Sequence, residues 1–179
     1  EKETGVSIMY MAKELDAGDV ILQKATTIGA EEDAQSLTAR LAELGAEALS
    51  EAVSALEAGT AGRTLQDESL QTYASMLSKE MSPVDWTRSA HEIACQVRGL
   101  IPWPCASTDV IGGETIKLFS VRETGEMAGD AAGTIVSAGK QGIDVVCGDG
   151  RLLRILELQA QGGKRMTAAA YLLGHPIQC

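Results

Sequence analysis

The residues that could do chemistry are few. Asp16 and Asp19 sit in Leu15-Asp16-Ala17-Gly18-Asp19, between two apolar segments. A carboxylate held at the end of a buried strand can take or position a proton, which suits general acid–base work. Read locally, the same five residues are a turn built from Asp and Gly. Lys164-Arg165, with Arg151, Arg154, Lys140 and Lys117, form the densest basic set. Such a set either faces phosphates or is simply a solvated face. His91 and His175 stand alone in the sequence, so no Ser/His/Asp or Cys/His arrangement can be argued from spacing. Cys95, Cys105, Cys147 and Cys179 show no CxxC pair and no His at metal-ligand spacing, which predicts free thiols and a cytosolic setting. Trp86 and Trp103 could stack on bases, but the prolines beside Trp103 favour packing at a domain joint. Gly112-Gly113 and Gly148-Asp149-Gly150 open no helix after a strand, so they read as hairpin turns rather than phosphate loops.

These residues need elements to hold them. Residues 5–11 and 20–26 read as two strands joined by the Asp16 loop, the first with apolar residues on both faces, as in a buried α/β sheet. From Asp33 to about residue 58, Leu37, Leu41, Leu44, Ala48, Ala52 and Leu56 recur at three and four residues and predict one helix stripe. Asp33 is its expected N-cap and Gly59 its end, with Glu31 and Glu32 favoured by the helix dipole. Residues 60–82 are polar and read as a linker laid along a surface by Leu70, Tyr73 and Leu77. A second unit opens near Pro83. Ser89-Ala90-His91-Glu92 is a capping box for a helix that buries Ile93, Val97 and Leu100 and ends at Gly99. Five short strands follow, over residues 106–111, 115–121, 133–138, 142–147 and 152–158, and predict a small closed barrel of OB type. A short helix over 167–173, capped by Thr167, comes last.

Composition narrows the function class. Apolar residues are 45% and charged residues 22%, an ordinary globular balance. No apolar run reaches the roughly 18–20 residues of a membrane span. Residues 1–79 hold 6 Lys+Arg against 14 Asp+Glu, and the remainder 9 against 11, so bulk charge does not drive nucleic-acid binding. The opening Glu1-Lys2-Glu3-Thr4 does not read as a secretory leader. A hairpin and one helix leave strand edges and a sheet face open, which predicts that the chain is a piece of a longer protein whose missing part precedes Glu1.

Several segments together resemble the methionyl-tRNA formyltransferase family, from the end of its catalytic domain to its C-terminus. They are Glu3-Thr4-Gly5-Val6-Ser7-Ile8-Met9 with Leu15-Asp16-Ala17-Gly18-Asp19, then Gln66-Asp67-Glu68-Ser69, Thr72-Tyr73-Ala74 and Leu77-Ser78-Lys79-Glu80. Asp85-Trp86, Arg98-Gly99-Leu100, Pro102-Trp103-Pro104, Gly133-Thr134-Ile135 and Gly163-Lys164-Arg165-Met166 continue the match in order. The resemblance implies the end of a doubly wound α/β formyltransferase domain over residues 1–60, a linker over 61–82 and an OB-like tRNA-binding domain over 83–179. It implies formyl transfer from 10-formyltetrahydrofolate, without a metal, to the amine of methionyl initiator tRNA in the cytoplasm, with neither a membrane nor a protein partner. Of the family's Asn, His and Asp trio only the Asp falls in this sequence, at Asp16. Lys140, Arg154, Lys164 and Arg165 become candidates for phosphate contacts with the tRNA. No residue is singled out for folate, since the Asn-x-His strand and Ser-Leu-Leu-Pro loop are absent, and the chain alone is expected to be almost inactive. The competing readings are a formyltransferase for nucleotide-linked amino sugars and a non-catalytic OB-type RNA-binding module.

Overall fold

The alternation of small and apolar residues in Glu3–Met9 and Val20–Thr27 sets two strands, β1 and β2, paired antiparallel from Glu3 opposite Thr27 to Met9 opposite Val20. A computed structural model describes residues 1–177 of the chain, in two units, one over Glu1–Ser75 and the other from Met76 onward. Only one face of the β1–β2 hairpin is covered. Val6 and Ile8 are half-buried whereas Gly5 and Ser7 are exposed, so β1 is not a strand buried on both sides.

The covering element is helix α1, Ala34–Glu57. Asp33 caps it, accepting from the Ser36 amide at 2.8 Å, and Gly59 follows its end with φ +67°. Gly45 brings its backbone close to Val6, while Ala48 and Ala52 are fully buried. Leu56 is exposed, contrary to the predicted stripe. The covered face runs on from Ala48 and Ala52 to the half-buried Ala55, in steps of four and three, and Leu56 falls to one side of it. Glu32 does not sit in the first helical turn. Its carboxylate grips the Arg40 guanidinium at 3.0 and 2.7 Å and accepts from the Gly29 amide, and Arg40 in turn donates to the Thr27 carbonyl.

Residues 64–75 contain a short 3-10 turn, Glu68–Leu70, and Tyr73 is 92% exposed, with Leu70 nearly as open. Neither they nor Leu77 packs as the surface anchor predicted for a linker, although Thr64 at the segment's start is held by backbone hydrogen bonds to Val20.

In the second unit a 3-10 turn, Lys79–Met81, leads to α2, Ala90–Gly99. Its capping box forms as predicted: the Ser89 amide donates to Glu92 at 3.1 Å, and the Ser89 hydroxyl accepts from the Glu92 amide. Then come β3 (Ala106–Thr108), β4 (Ile116–Met127), β5 (Ile135–Gly139), β6 (Gly142–Val146), β7 (Arg151–Ala160), β8 (Met166–Thr167) and α3 (Ala168–Gly174). All pairings between these strands are antiparallel, in the order β3-β4-β7-β6-β5, with β8 also on β7. Among the described residues no ladder joins β5 back to β3. The sheet is therefore open, and the expected closed barrel is not formed by strand pairing. Register shifts between Leu118 and Ser120, between Ser120 and Val121, and again between Glu123 and Met127 interrupt the β4–β7 ladder, irregularities of the kind that bend a strand.

The core of this unit is Ile93 and Val97 of α2, Ile116 and Leu118 of β4, Ile143 and Val145 of β6, and Leu153, Ile155 and Leu158 of β7. Trp86 belongs to it, its ring nitrogen donating to the Thr108 hydroxyl at 2.9 Å, whereas Trp103 is about half exposed. Cys147 is also buried, and burial pushes its thiol up from 9.0 to about 12, with Asp149 adding to the effect. Cys105 is free and buried and Cys95 free and exposed; Cys179 lies outside the described residues.

Candidate functional site

The Asp16 loop closes by contacts that its local sequence does not announce. The Tyr10 amide donates to the Asp19 carbonyl at 3.0 Å, tying the loop at its neck. Gly18 is the tightest point: a Cβ there would lie 1.7 Å from the Tyr10 carbonyl oxygen. Only glycine allows so close an approach of two backbones. Asp16 itself adopts φ +53°, the left-handed region that Asp tolerates better than most residues.

A segment from far along the chain then straps the loop. Val20 and Thr64 exchange backbone hydrogen bonds at 2.8 and 2.9 Å. The Gln66 amide nitrogen donates to the carbonyls of both Asp16 (2.8 Å) and Gly18 (2.7 Å). Arg63 pairs with the Asp19 carboxylate at 2.8 Å and lies 4.6 Å from the centre of the Tyr10 ring. Asp19 is thus a structural carboxylate. Asp16 differs: it is exposed, its backbone is fixed on both sides, and among the described residues nothing engages its carboxylate. A negative group is thereby presented to solvent by a braced backbone, which is what a proton acceptor or a cation-orienting group needs. It stands in an exposed loop rather than at the end of a buried strand.

Tyr10, Gly18, Arg63, Thr64 and Gln66 complete this arrangement. Gly18 lies in the predicted loop and Tyr10 in the strand predicted before it. The last three fall in the stretch read as linker, where no periodicity marks them; only Gln66 carried a signal, as the first residue of a segment that resembles the formyltransferase family.

The four candidate phosphate-facing cations do not behave alike. Arg154 is turned into the sheet, its Nε and Nη2 donating to the two Asp144 carboxylate oxygens at 2.6 and 2.8 Å and its Nη1 to Gln141. The guanidinium is raised in pKa chiefly by that hydrogen-bonded carboxylate. Arg165 is held by Glu157 and lies 4.7 Å from the Phe119 ring centre. Lys140, on the β5–β6 turn, and Lys164, on the β7–β8 turn, are exposed, and neither makes an ion pair among the described residues. No group of three or more His, Cys, Asp or Glu side chains among the described residues is placed to hold a metal ion. Among the described residues no helix is long and apolar enough to cross a membrane.

Family models place the chain. Residues 76–176 match the formyl transferase C-terminal domain and residues 1–53 match the formyl transferase domain. The chain belongs to the formyl transferase family. Among curated relatives, a methionyl-tRNA formyltransferase of Geobacter sulfurreducens is 46% identical over 178 residues, 99% of this chain and 55% of the relative. That of Moorella thermoacetica is 43% identical over 99% of this chain and 56% of its own length. The chain thus spans about half the length of the curated relatives it matches. Among solved structures, HypX from Aquifex aeolicus in complex with tetrahydrofolic acid superposes with a TM-score of 0.71 at 22% identity, over 96% of this chain and 30% of that one. An N-formyltransferase from Helicobacter canadensis, in complex with folinic acid and dTDP-3-aminofucose, gives 0.69 at 17% identity, over 87% of this chain and 56% of that one. These likenesses show that the formyltransferase fold is shared.

Proposed function

We propose that this chain serves a methionyl-tRNA formyltransferase, which moves a formyl group from 10-formyltetrahydrofolate to the amine of methionyl initiator tRNA. The observation that carries the reading is 46% identity to such an enzyme over 99% of this chain, Asp16 and its loop included. In this reaction an amine attacks a formyl carbon and sheds protons as it becomes an amide. A carboxylate fixed in space can hold the ammonium form in line and receive a proton as the C–N bond forms. Asp16 is our candidate for that role, and its braced backbone and open carboxylate support it. The donor is a substrate rather than a resident group, and the reading requires no metal.

The functional division follows the same proposal: catalytic residues in 1–60, a connecting segment over 61–82 and tRNA binding in 83–179. The register shifts in β4 support an OB-like curl of that last part, although the pairing leaves it open. For phosphate contacts Lys140 and Lys164 are the free cations, with Arg165 and Arg154 contributing only after their carboxylate partners are displaced. The setting is the cytoplasm, and neither a membrane nor a protein partner is required.

The test is a choice of acceptor. The chain is extended to its relatives' full length with the remaining segment of the Geobacter sulfurreducens protein, then offered methionyl-tRNA and a nucleotide-linked amino sugar beside 10-formyltetrahydrofolate. Formylation of the tRNA is expected. Formylation of the sugar alone assigns the chain to the other acceptor class. RNA binding by residues 83–179 with no formylation of either overturns the enzymatic reading.

A further inference from the structure

Helix α2 presents a group of side chains that the proposed reaction does not use. His91 and Cys95 are four residues apart and therefore share a face, with Arg98 three residues further on. Strand β4 passes alongside and supplies Glu123. The His91 Nδ1 lies 3.0 Å from the Glu123 carboxylate, the His91 Nε2 lies 3.6 Å from the Cys95 sulfur, and the Arg98 Nη2 donates to that sulfur at 3.4 Å. Among the described residues Cys95 is the exposed thiol, and Cys105 and Cys147 are buried.

The order of these contacts is chemically directional. A carboxylate at Nδ1 keeps the ring proton there, which leaves the Nε2 lone pair facing the thiol. A base aimed at a nucleophile and oriented by a third group is the arrangement that activates sulfur or oxygen for attack. The Arg98 guanidinium places positive charge beside negative charge developing on the sulfur.

We propose that Cys95 is a thiol–disulfide exchange site, where His91 assists attack on a small disulfide and Glu123 positions His91. The Cys95 S–H bond breaks and its proton passes to His91 Nε2, while the sulfur bonds to one sulfur of the incoming disulfide. The disulfide S–S bond breaks, and the departing thiolate recovers the proton and leaves as a thiol. Cys95 is oxidised and the departing half is reduced, so no other reagent is consumed. The exposed face admits a disulfide without any movement of the core. The site is independent of the formyl-transfer reading.

The probe is oxidised glutathione. The folded chain is treated with it, quenched in acid, and mapped by mass spectrometry of its peptides, which separates all four cysteines. Cys95 is expected to react at least about a hundredfold faster in the folded chain than in urea, the low end of what a placed base supplies. His91→Gln is expected to remove that advantage, and Glu123→Gln most of it. The double variant is expected to be no slower than H91Q, because the carboxylate acts only through the ring. Equal folded and unfolded rates, or an undiminished rate in H91Q, would overturn the proposal. So would additive losses in the double variant, since those would give Glu123 a role of its own.

Discussion

Asp144→Ala tests the placement of Arg154 most sharply. The Asp144 side chain is 6% exposed and that of Arg154 21%, and two hydrogen bonds join them across β6 and β7. Removing one partner of a buried pair leaves a desolvated charge, at a cost of about 3–5 kcal/mol. Arg154 keeps Gln141 as an acceptor and retains some contact with water, so a loss of about 2–3 kcal/mol is expected. For a unit of this size that lowers the midpoint of thermal unfolding by about 10–20 °C. The assay is convenient because Trp86 and Trp103, the chain's 2 tryptophans, both lie in the second unit. Urea unfolding followed by their fluorescence therefore reports that unit alone. Replacing both partners by apolar residues, D144L with R154M, should recover most of the loss, because no charge remains to be stranded. A loss under about 0.5 kcal/mol for D144A, or a double variant as unstable as the single one, would refute the argument and return Arg154 to the solvent-facing cations.

Glu92 gives a pH prediction. Arg88, then Ser89, hold its carboxyl down from 4.5 to about 2. A depressed carboxyl contributes stability above its unfolded value, and that contribution fades as pH falls from 4.5 toward 2. The urea midpoint of the unmodified chain should therefore drop more steeply over that interval than that of E92Q, and parallel curves would contradict it. Gly18→Ala should disrupt the Asp16 loop while leaving α1 intact, since its Cβ meets the Tyr10 backbone. Hydrogen exchange should show the Tyr10 amide at least about tenfold less protected, the equivalent of roughly 1.4 kcal/mol of local opening. Unchanged protection would mean that the loop accommodates the methyl.

Local rules read from sequence held wherever a neighbour within about four residues decides the structure. The Ser89–Glu92 box, the Asp33 and Thr167 caps and the Gly148-Asp149-Gly150 turn are of this kind. The strands were placed to within a few residues, except that β4 runs on to Met127 and the two-residue β8 has too little sequence to carry a period. What failed depends on distant partners. Barrel closure needs a pairing between strands far apart in the chain, and no turn residue encodes it. The Gln66 strap crosses fifty residues, so the Asp16 loop looked like a bare turn. His91 and Cys95 share a face of α2 by their spacing, but Glu123 joins them only because α2 lies on β4, which hid the cluster from sequence. The resemblance to formyltransferases made Asp16 a catalytic candidate where its local sequence offered only a turn.

The central claim is that the Asp16 carboxylate takes part in formyl transfer. Asp16→Asn keeps the side chain's size and removes only its charge and basicity. In the polypeptide completed to its relatives' length, single-turnover formylation of methionyl-tRNA should slow by at least about a hundredfold, the scale of one acid–base group. Protection of the Tyr10 amide should stay unchanged, showing that the loop remains closed. Formylation at an undiminished rate would contradict the account.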